Sequence, residues 1–523
     1  MGEVVRLAER QAGLTLAEIG ARVSKDGILI GSLLSMVQSV SQRLTQIAEQ
    51  TPDDAAVISF LPDGTEIALR WAELDRRTQI DAATLLQTAR FAAGMAVVCV
   101  TARQTPATIV KFLTAARAGL AIFPLDPHMP GQLHARMIQH VRENYGPTIE
   151  DNSLAAGTRD KARETRVAGY LLATGGTSGA LKIVAYPGPL TYDSRLLPSL
   201  LLRRAGWHTG QRQLILGPLY HAAPLMYCLT GLLDANTIVL PPSFEPAKTW
   251  GLLSDYRIEW LQLTPTHMTR IAEVAPQADS VLSHIRGILH TAAACPHQTK
   301  RRWLELVEPS RVFELYSATE DIGSTLADGE EWLERPGTVG RGVLTQIRIL
   351  DEDRRSLPAG VTGRIFMRRP RSALQAPQYL GGDSSSSVGD GFRSVGDYGW
   401  MDTDGYLFLA PRRDDLIVVG GKNVYPADVE SVIAEHPMVA DVAVIGISDA
   451  VFGARIVAVV STRDDRPIGV ADLIAHCGGR LVAHQLPREV LQVPRVPRNE
   501  AGKIQRWRLP SLLREDGLWT THW

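Results

Sequence analysis

The chain is expected to fold as an α/β protein: a large N-terminal multi-layer α/β body, residues 1–411, followed by a small α+β C-terminal domain, residues 412–523. Three observations carry this expectation. Short β-branched runs alternate with helical patterns through most of the chain, the grammar of helices layered on a sheet. Each run ends in a loop carrying Pro, Thr, His or Ala, and in such folds ligands collect beyond the carboxyl ends of strands. The texture then changes at the charged corner Arg412-Arg413-Asp414-Asp415, the natural boundary between the two units.

Residues 1–50 read as mainly helical, and GILIGSLLSMV (27–37) reads as a helix packed on the body. Around 56–70, AVISFLPDGTEIALRW reads as two strands joined at Asp63-Gly64, a strong hairpin signal. MAVVCV is a strand, PATIVKFLTAARAG a helix, and LAIFPLDP the next strand. RQLILGPLYH, NTIVLPPSF, IEWLQLTP and IRGILHTAA continue the pattern, each an apolar strand followed by a loop. YLGGDSSSSVGDGFRSVGD (379–397) is Gly/Ser-rich and reads as a mobile surface loop. Beyond it come a strand, the charged corner, a Gly-Gly hairpin and a helix with Pro426 in its first turn and Pro437 past its end. Two strands, a helix near 470–478 and a basic tail complete the small unit.

The composition is that of an ordinary globular protein, 45% hydrophobic and 21% charged over 523 residues. A formal net charge of -1 gives no footprint for nucleic acid or for a polybasic membrane contact. The four cysteines, Cys99, Cys228, Cys295 and Cys477, lie far apart, without metal-type spacing or a disulfide framework. A reducing, cytoplasmic location fits. The N-terminus has the wrong charge pattern for a signal peptide, and the apolar run at 27–37 is about half of what spans a bilayer.

The sharpest feature is GYLLATGGTSGALKIVAY (169–186). Thr174, Gly175, Gly176, Thr177, Ser178 and Gly179 free the backbone to point N–H groups inward and add hydroxyl donors, and Lys182 adds a compact positive charge. Such a concavity holds phosphate. It is not the NTPase loop, because no Gly-Lys-Ser/Thr occurs and the flank KIVAY reads as a strand rather than a helix. The expected form is a phosphate clamp on a hairpin-like corner. ELYSATE (314–320), SVGDYGWMDTDGY (394–406), APRRDDLIVVGGKNVYP and PRNEAGKIQR (497–506) follow in order.

In the order and spacing of these motifs, from about residue 40 to 515, the chain resembles the ANL adenylate-forming enzymes: acyl- and aryl-CoA synthetases, peptide-synthetase adenylation domains and luciferases. The resemblance implies a large adenylation domain and a small domain that is mobile about a hinge at Asp414. It implies ATP, Mg²⁺ and coenzyme A as cofactors. TGGTSGALK would hold the β- and γ-phosphates, and Glu320 with Thr174 would place Mg²⁺. Thr319 would donate to the α-phosphate. Tyr316 would stack on adenine beside a slot formed by Ala293 and Ala294. Asp397 and Arg412 would hold the ribose. Lys503 would bridge the acid and the α-phosphate, and Gly420 and Gly421 would leave room for the pantetheine arm. His221, in PLYHAAPLMYCLTGLL, matches an active-site histidine of the CoA-ligase branch, and Met226, Tyr227 and Cys295 would line an apolar acyl pocket with it.

The chain departs from the pattern at Leu181 and Ile183, which flank Lys182 where Pro and Gly are usual, at Gly175 where Ser is more frequent, and at Pro411 where Gly is usual. With no carboxylate near His221 before Asp234, an amino-acid substrate would leave an unpaired buried charge. A bulky or cyclic hydrophobic acid is the first expectation and a medium or long fatty acid the second. Two other readings stay open: an acyl-AMP ligase that loads a carrier protein, and a nucleotide-binding scaffold without catalysis.

Overall fold

The computed structural model describes residues 37–88, 96–129, 131–145, 147–150, 168–175, 181–187, 190–194, 198–275, 282–318, 320–369, 377–380, 386–410, 417–419, 422–449, 452–464, 466–498, 504, 506, 509–515 and 517. The predicted alternation is present. Val97–Thr101, Ala121–Leu125, Arg212–Ile215, Thr237–Leu240, Trp260–Leu263 and Gly287–His290 are strands, and helices such as Pro106–Arg117 lie between them. That helix begins where the sequence marks it: Thr105 caps it and Pro106 occupies its first turn, where the missing proline N–H costs nothing.

Two large sheets form the body. In the fifteen-stranded sheet, Ala55–Phe60, Thr237–Leu240, Arg212–Ile215, Trp260–Leu263, Gly287–His290 and Val312–Ser317 lie side by side and parallel. In the second sheet, Thr148–Glu150, Val97–Thr101, Ala121–Leu125 and Ala168–Gly175 are parallel neighbours, and Ala168–Gly175 pairs antiparallel with Leu181–Pro187. One apolar core joins the two sheets. Val57, Ile215 and Ile238 from one face meet Val98, Ile122 and Leu172 from the other, with Leu44, Ile109, Leu113, Leu225 and Leu229 of the intervening helices between them. A second core, with Trp250, Ile271 and Trp303, packs helices on the outer face of the large sheet. A third, with Ile138 and Val141, covers the outer face of the smaller one. The body is thus layered α-β-α-β-α, and burial on both faces explains why its strands are near-continuous apolar runs.

The Asp63-Gly64 hairpin forms as expected: Ala55–Phe60 pairs with Glu66–Arg70, and Gly64 takes φ +88°, a conformation glycine adopts without penalty. Two other expectations are corrected. Val37–Ser39, at the end of the run read as helical, is a strand paired with Thr191–Asp193, and the helix Val40–Gln50 begins only after it. Ser39 starts that helix through a reciprocal capping box with Gln42, which overrides the apolar pattern upstream. Residues 1–36 lie outside the described residues. The Gly/Ser-rich segment is not all loop: Ser386–Val388 pairs with Phe392–Ser394 across a turn at Asp390 and Gly391. Phe392 is buried, with the guanidinium groups of Arg348 and Arg368 4.2 and 4.7 Å from its ring. That burial fixes a register which serine-rich composition hides.

Among the described residues, the strands from 417 onward pair only with one another, as Ile417–Val419 with Lys422–Val424 and as the sheet Val439–Asp449, Gly453–Thr462, Glu489–Gln492. Their cores contain no residue from the body. The expected helices are present at Pro426–Ile433 and Val470–Cys477. No helix among the described residues is long and apolar enough to cross a membrane.

One buried carboxylate knits the inter-sheet core. Asp234, fully buried at the end of the helix Ala222–Leu233, accepts from Trp207 Nε1 (2.8 Å), Thr209 Oγ1 (3.0 Å) and Tyr192 Oη (3.1 Å). Removing it strands buried donors, so Asp234→Ala is expected to cost about 3 kcal/mol or more. A shift of the urea midpoint checks this, with Asp234→Asn falling between the variant and the wild type.

Candidate active site

Parallel strands put their following loops at one edge of each sheet, and several of the predicted site residues gather there with neighbours that the sequence did not single out. Asp126 follows Ala121–Leu125, His221 lies beyond Arg212–Ile215, Ala293, Ala294 and Cys295 follow Gly287–His290, and Tyr316 and Ser317 end Val312–Ser317.

The glycine-rich stretch is a hairpin corner, as its flanks implied. Thr174 stands opposite Lys182 and Gly175 opposite Leu181 in the antiparallel stem. Gly176, Thr177, Ser178 and Gly179 lie outside the described residues, as do the side chains of Thr174 and Lys182. Lower in the stem, Tyr170 and Tyr186 stack with ring centroids 4.4 Å apart. Burial raises both phenols, and the nearby charges of Asp321 and Glu320 push Tyr186 further in that direction. The stem therefore lies against the turn that carries Glu320. Asp321, in that turn at φ +49°, forms an ion pair with Arg369 (2.7 Å). Thr319 lies outside the described residues.

Tyr316 and Asp397 are 81 positions apart, yet the Tyr316 hydroxyl donates to Asp397 Oδ2 at 2.7 Å. Asp397 also lends its backbone carbonyl to the Ile365 N–H (2.9 Å), so the turn is held against the sheet. The loop beside Tyr316 is open. Ala292, Ala293 and Ala294 are exposed, and Ala292 sits at φ +83°, a left-handed conformation that costs a residue with a Cβ about 1–2 kcal/mol. Strain held at a ligand-facing loop is a recurrent feature of functional sites.

Beneath this loop lies a buried polar cluster that sequence reading missed. Lys300 donates to His290 Nε2 at 2.5 Å and lies 3.5 Å from Glu314. Lys300 and His290 are fully buried and Glu314 nearly so. Burial, reinforced by the Lys300 charge, drives His290 well below its usual range, so the ring is neutral and accepts through Nε2. Burial raises Glu314, and Lys300 opposes it. The cluster ties the end of Gly287–His290 to the strand bearing Tyr316 and to the helix His297–Leu306, bracing the alanine loop from below. Cys295 sits beside it, its thiol raised by burial and by Glu314.

His221 precedes the helix Ala222–Leu233. Burial lowers its pKa while the Asp126 carboxylate acts the other way, and among the described residues its buried Nε2 has no hydrogen-bond partner. Gln104 holds the preceding loop from both sides, donating to Gly217 O (3.1 Å) and accepting from Leu219 N (3.2 Å). Neither Asp126 nor Gln104 was singled out by sequence, although both follow parallel strands of the smaller sheet. The acyl-pocket residues separate. Met226 is exposed, whereas Tyr227 is a core residue packed on Trp207 and Trp260 at ring distances of 6.5 and 5.2 Å. Neighbours on a helix point about 100° apart, so the two cannot line the same wall.

Arg412, Asp414, Gly420, Gly421 and Lys503 lie outside the described residues. Flanking 499–503, Arg498 pairs with Asp441 (2.7 Å) and Arg506 pairs with both Glu430 oxygens (2.7 Å each). Among the described residues no group of three His, Cys, Asp or Glu could hold a metal ion. A single carboxylate such as Glu320 would be compatible with Mg²⁺, which is commonly held by one or two carboxylates plus substrate phosphates.

Residues 159–379 match the family model described as AMP-binding enzyme, and residues 428–503 match the AMP-binding enzyme C-terminal domain. Over 302 residues the chain is 29% identical to the indoleacetate–CoA ligase of Aromatoleum aromaticum, covering 55% of this chain and 57% of that protein. Over 353 residues it is 28% identical to the 2-succinylbenzoate–CoA ligase of Bacillus licheniformis, covering 65% of this chain and 70% of that protein. The match thus spans little more than half the length of the first of these relatives. The fold is shared with the o-succinylbenzoate CoA synthetase of Bacillus subtilis in complex with its acyl-adenylate, at a TM-score of 0.73 and 22% identity over 90% of this chain and 98% of that one.

Two outcomes test the interior of the site. Lys300→Met leaves Glu314 and His290 uncompensated and is expected to destabilise the fold by about 3–5 kcal/mol, while adding Glu314→Leu recovers part of the loss; denaturant midpoints of the three proteins check this. His267 caps the helix Pro265–Glu273, its Nδ1 accepting from Thr264 N (3.3 Å), and burial pushes its pKa down to about 4. Its folded value lies below its unfolded value of 6.5, so only the unfolded chain binds the proton between them. The stabilisation is complete above about pH 6.5 and is lost as pH falls toward 4, by about 3 kcal/mol. His267→Gln is expected to flatten that part of the stability–pH curve.

Proposed function

The chain belongs to the AMP-binding enzyme family, and from that premise we propose that it is an ATP-dependent acyl-CoA synthetase. In the first half-reaction a carboxylate oxygen attacks the α-phosphorus of ATP, pyrophosphate leaves, and an acyl-adenylate forms. In the second, the thiol of coenzyme A attacks the acyl carbon, AMP leaves, and the thiol proton passes to solvent. The observation that carries this reading is the Tyr316–Asp397 hydrogen bond. It joins a motif suited to adenine with one suited to ribose at the edge where the phosphate hairpin also lies.

An aromatic ring at Tyr316 offers a stacking face, and the exposed Ala293 and Ala294 leave a slot beside it. Asp397 is acceptor-only when ionised, as two ribose hydroxyls require, with Arg412 as a second contact. The hydroxyl- and glycine-rich corner from Thr174 to Gly179, with Lys182, neutralises the β- and γ-phosphates. Thr319 donates to the α-phosphate. Glu320, with Thr174, would hold Mg²⁺, which supplies charge neutralisation and templating when bound. Lys503 stabilises charge developing between the acid and the α-phosphorus. Its chain neighbours Arg498 and Arg506 are anchored by ion pairs, consistent with a lysine that must be placed accurately. We take residues 1–411 as the adenylation domain and 412–523 as a domain that turns about Asp414, exchanging Lys503 for the Gly420-Gly421 hairpin between half-reactions.

A neutral His221 whose Nε2 has no partner among the described residues suits a wall of the acyl pocket. Indoleacetate and 2-succinylbenzoate, the acids named for two relatives, are ring-bearing carboxylates, and we infer that a bulky or cyclic hydrophobic acid is the substrate class here. The test is ATP–pyrophosphate exchange across fatty, aryl and polycyclic acids, with the thioester detected by mass after adding coenzyme A. Exchange with one class and its CoA thioester is the expected result. Exchange without a thioester would point to a carrier protein as acceptor, and no exchange despite ATP binding would favour a scaffold. Lys503→Ala is expected to lower exchange about 100-fold or more while ATP still binds; normal exchange by that variant would remove the role.

A further inference from the structure

The opposite edge of the large sheet carries a cavity rich in arginine. At the amino ends of the parallel strands a cavity of about 630 Å³ opens, a volume suited to a small ligand. Arg203, Arg212, Arg257, Arg286 and Arg311 line it with a single carboxylate, Glu259. The topology explains the gathering. Arg212 begins Arg212–Ile215, Glu259 immediately precedes Trp260–Leu263, Arg286 precedes Gly287–His290, and Arg311 precedes Val312–Ser317. These strands are neighbours in that order, about 4.8 Å apart. The residues are held in place by the backbone: Arg212 O accepts from Glu259 N (3.0 Å), and Glu259 O accepts from Arg286 N (2.7 Å). The site at the carboxyl ends therefore lies at the other end of the same strands.

The charges do not cancel. Arg311 is satisfied by Glu308 (2.9 Å) and by the Ile285 carbonyl (3.2 Å), and Arg203 donates to the Pro198 carbonyl (3.0 Å). Glu259 accepts from the Arg212 backbone N–H (3.0 Å) and is shared with Arg286 Nε (3.6 Å) and His208 Nε2 (3.3 Å). The Arg212 guanidinium has no ion pair or hydrogen bond among the described residues, and Arg257 reaches only His284 Nδ1, at 3.5 Å. Arg257 also occupies φ +46° just past the helix Pro246–Asp255, with Ile258 N donating to Leu253 O (3.1 Å). That position locally favours glycine, so backbone preference does not account for an arginine there.

We propose that this cavity binds a compact polyphosphate: a small anion with two or more phosphoryl groups. Every cation in it is an arginine, whose planar fork meets phosphate oxygens in pairs. The cavity's one indole, Trp207, is buried with Nε1 committed to Asp234, and its other rings are the imidazoles of His208 and His284, so the lining offers a base no large exposed stacking face. Compact polyphosphates therefore fit better than nucleotides. The assignment does not depend on the acyl-CoA synthetase reading.

The test is calorimetric titration of the full chain at ~0.15 M salt, where exposed charges are screened beyond about 8 Å. The ligands are pyrophosphate, tripolyphosphate and a sugar bisphosphate, each added with and without a saturating non-hydrolysable ATP analogue. One site that persists in the presence of the analogue is expected, weakened about tenfold or more in Arg212→Ala/Arg286→Ala and intermediate in Arg212→Lys/Arg286→Lys. Both positions are exposed, and an unchanged thermal melt confirms that the variants fold. The preferred ligand separates a reaction product from a sugar-borne phosphate. The proposal is overturned if no binding survives the analogue, if the alanine variant binds equally well, or if acetate at matched ionic strength competes as strongly.

Discussion

Six neighbouring strands of the large sheet run parallel, and that constraint places everything else. Each return to a parallel strand requires a crossover, here mostly helical, and the crossovers cover both faces of the sheet. The strands must then be apolar on both sides, and polar chemistry is pushed to their two ends. At the carboxyl end lie His221, the alanine loop, Tyr316 and Glu320; at the amino end lie the arginines around Glu259. One topological rule thus gathers polar side chains at both ends of the same strands.

Two buried polar clusters inside the body sit where rigidity matters. Asp234 holds three donors between the two sheets. Lys300, His290 and Glu314 brace the loop beside Tyr316. A buried ion pair contributes little net stability compared with an apolar substitute, but its geometry is demanding. The strain at Ala292 is tolerable because the structure on either side of it is fixed.

Where sequence reading succeeded, the signal was local. Asp63-Gly64, Thr105-Pro106 and the β-branched flanks of the glycine loop each specify their conformation within a few residues, and each element formed there. Where it failed, the deciding partner was distant. Val37–Ser39 is a strand because Thr191–Asp193 pairs with it. Ser386–Val388 is a strand because Phe392 finds a buried place beneath two arginines. Tyr227 left the pocket for the core because Trp207 and Trp260 lie on its side of the helix. Lys300 went unnoticed, since nothing near it in the chain reveals Glu314 or His290.

The sequence by itself determined the layered α/β class and the hairpin form of the glycine loop, and it named candidate groups for a nucleotide, because residue type, periodicity and turn chemistry are local properties. Only the tertiary structure decided which of those groups meet. Tyr316 reaches Asp397 across 81 positions, the Asp126 charge acts on His221, and the arginines converge on one cavity. Such meetings depend on strand order and register, which arise when the whole chain buries its apolar faces together and which no short stretch encodes.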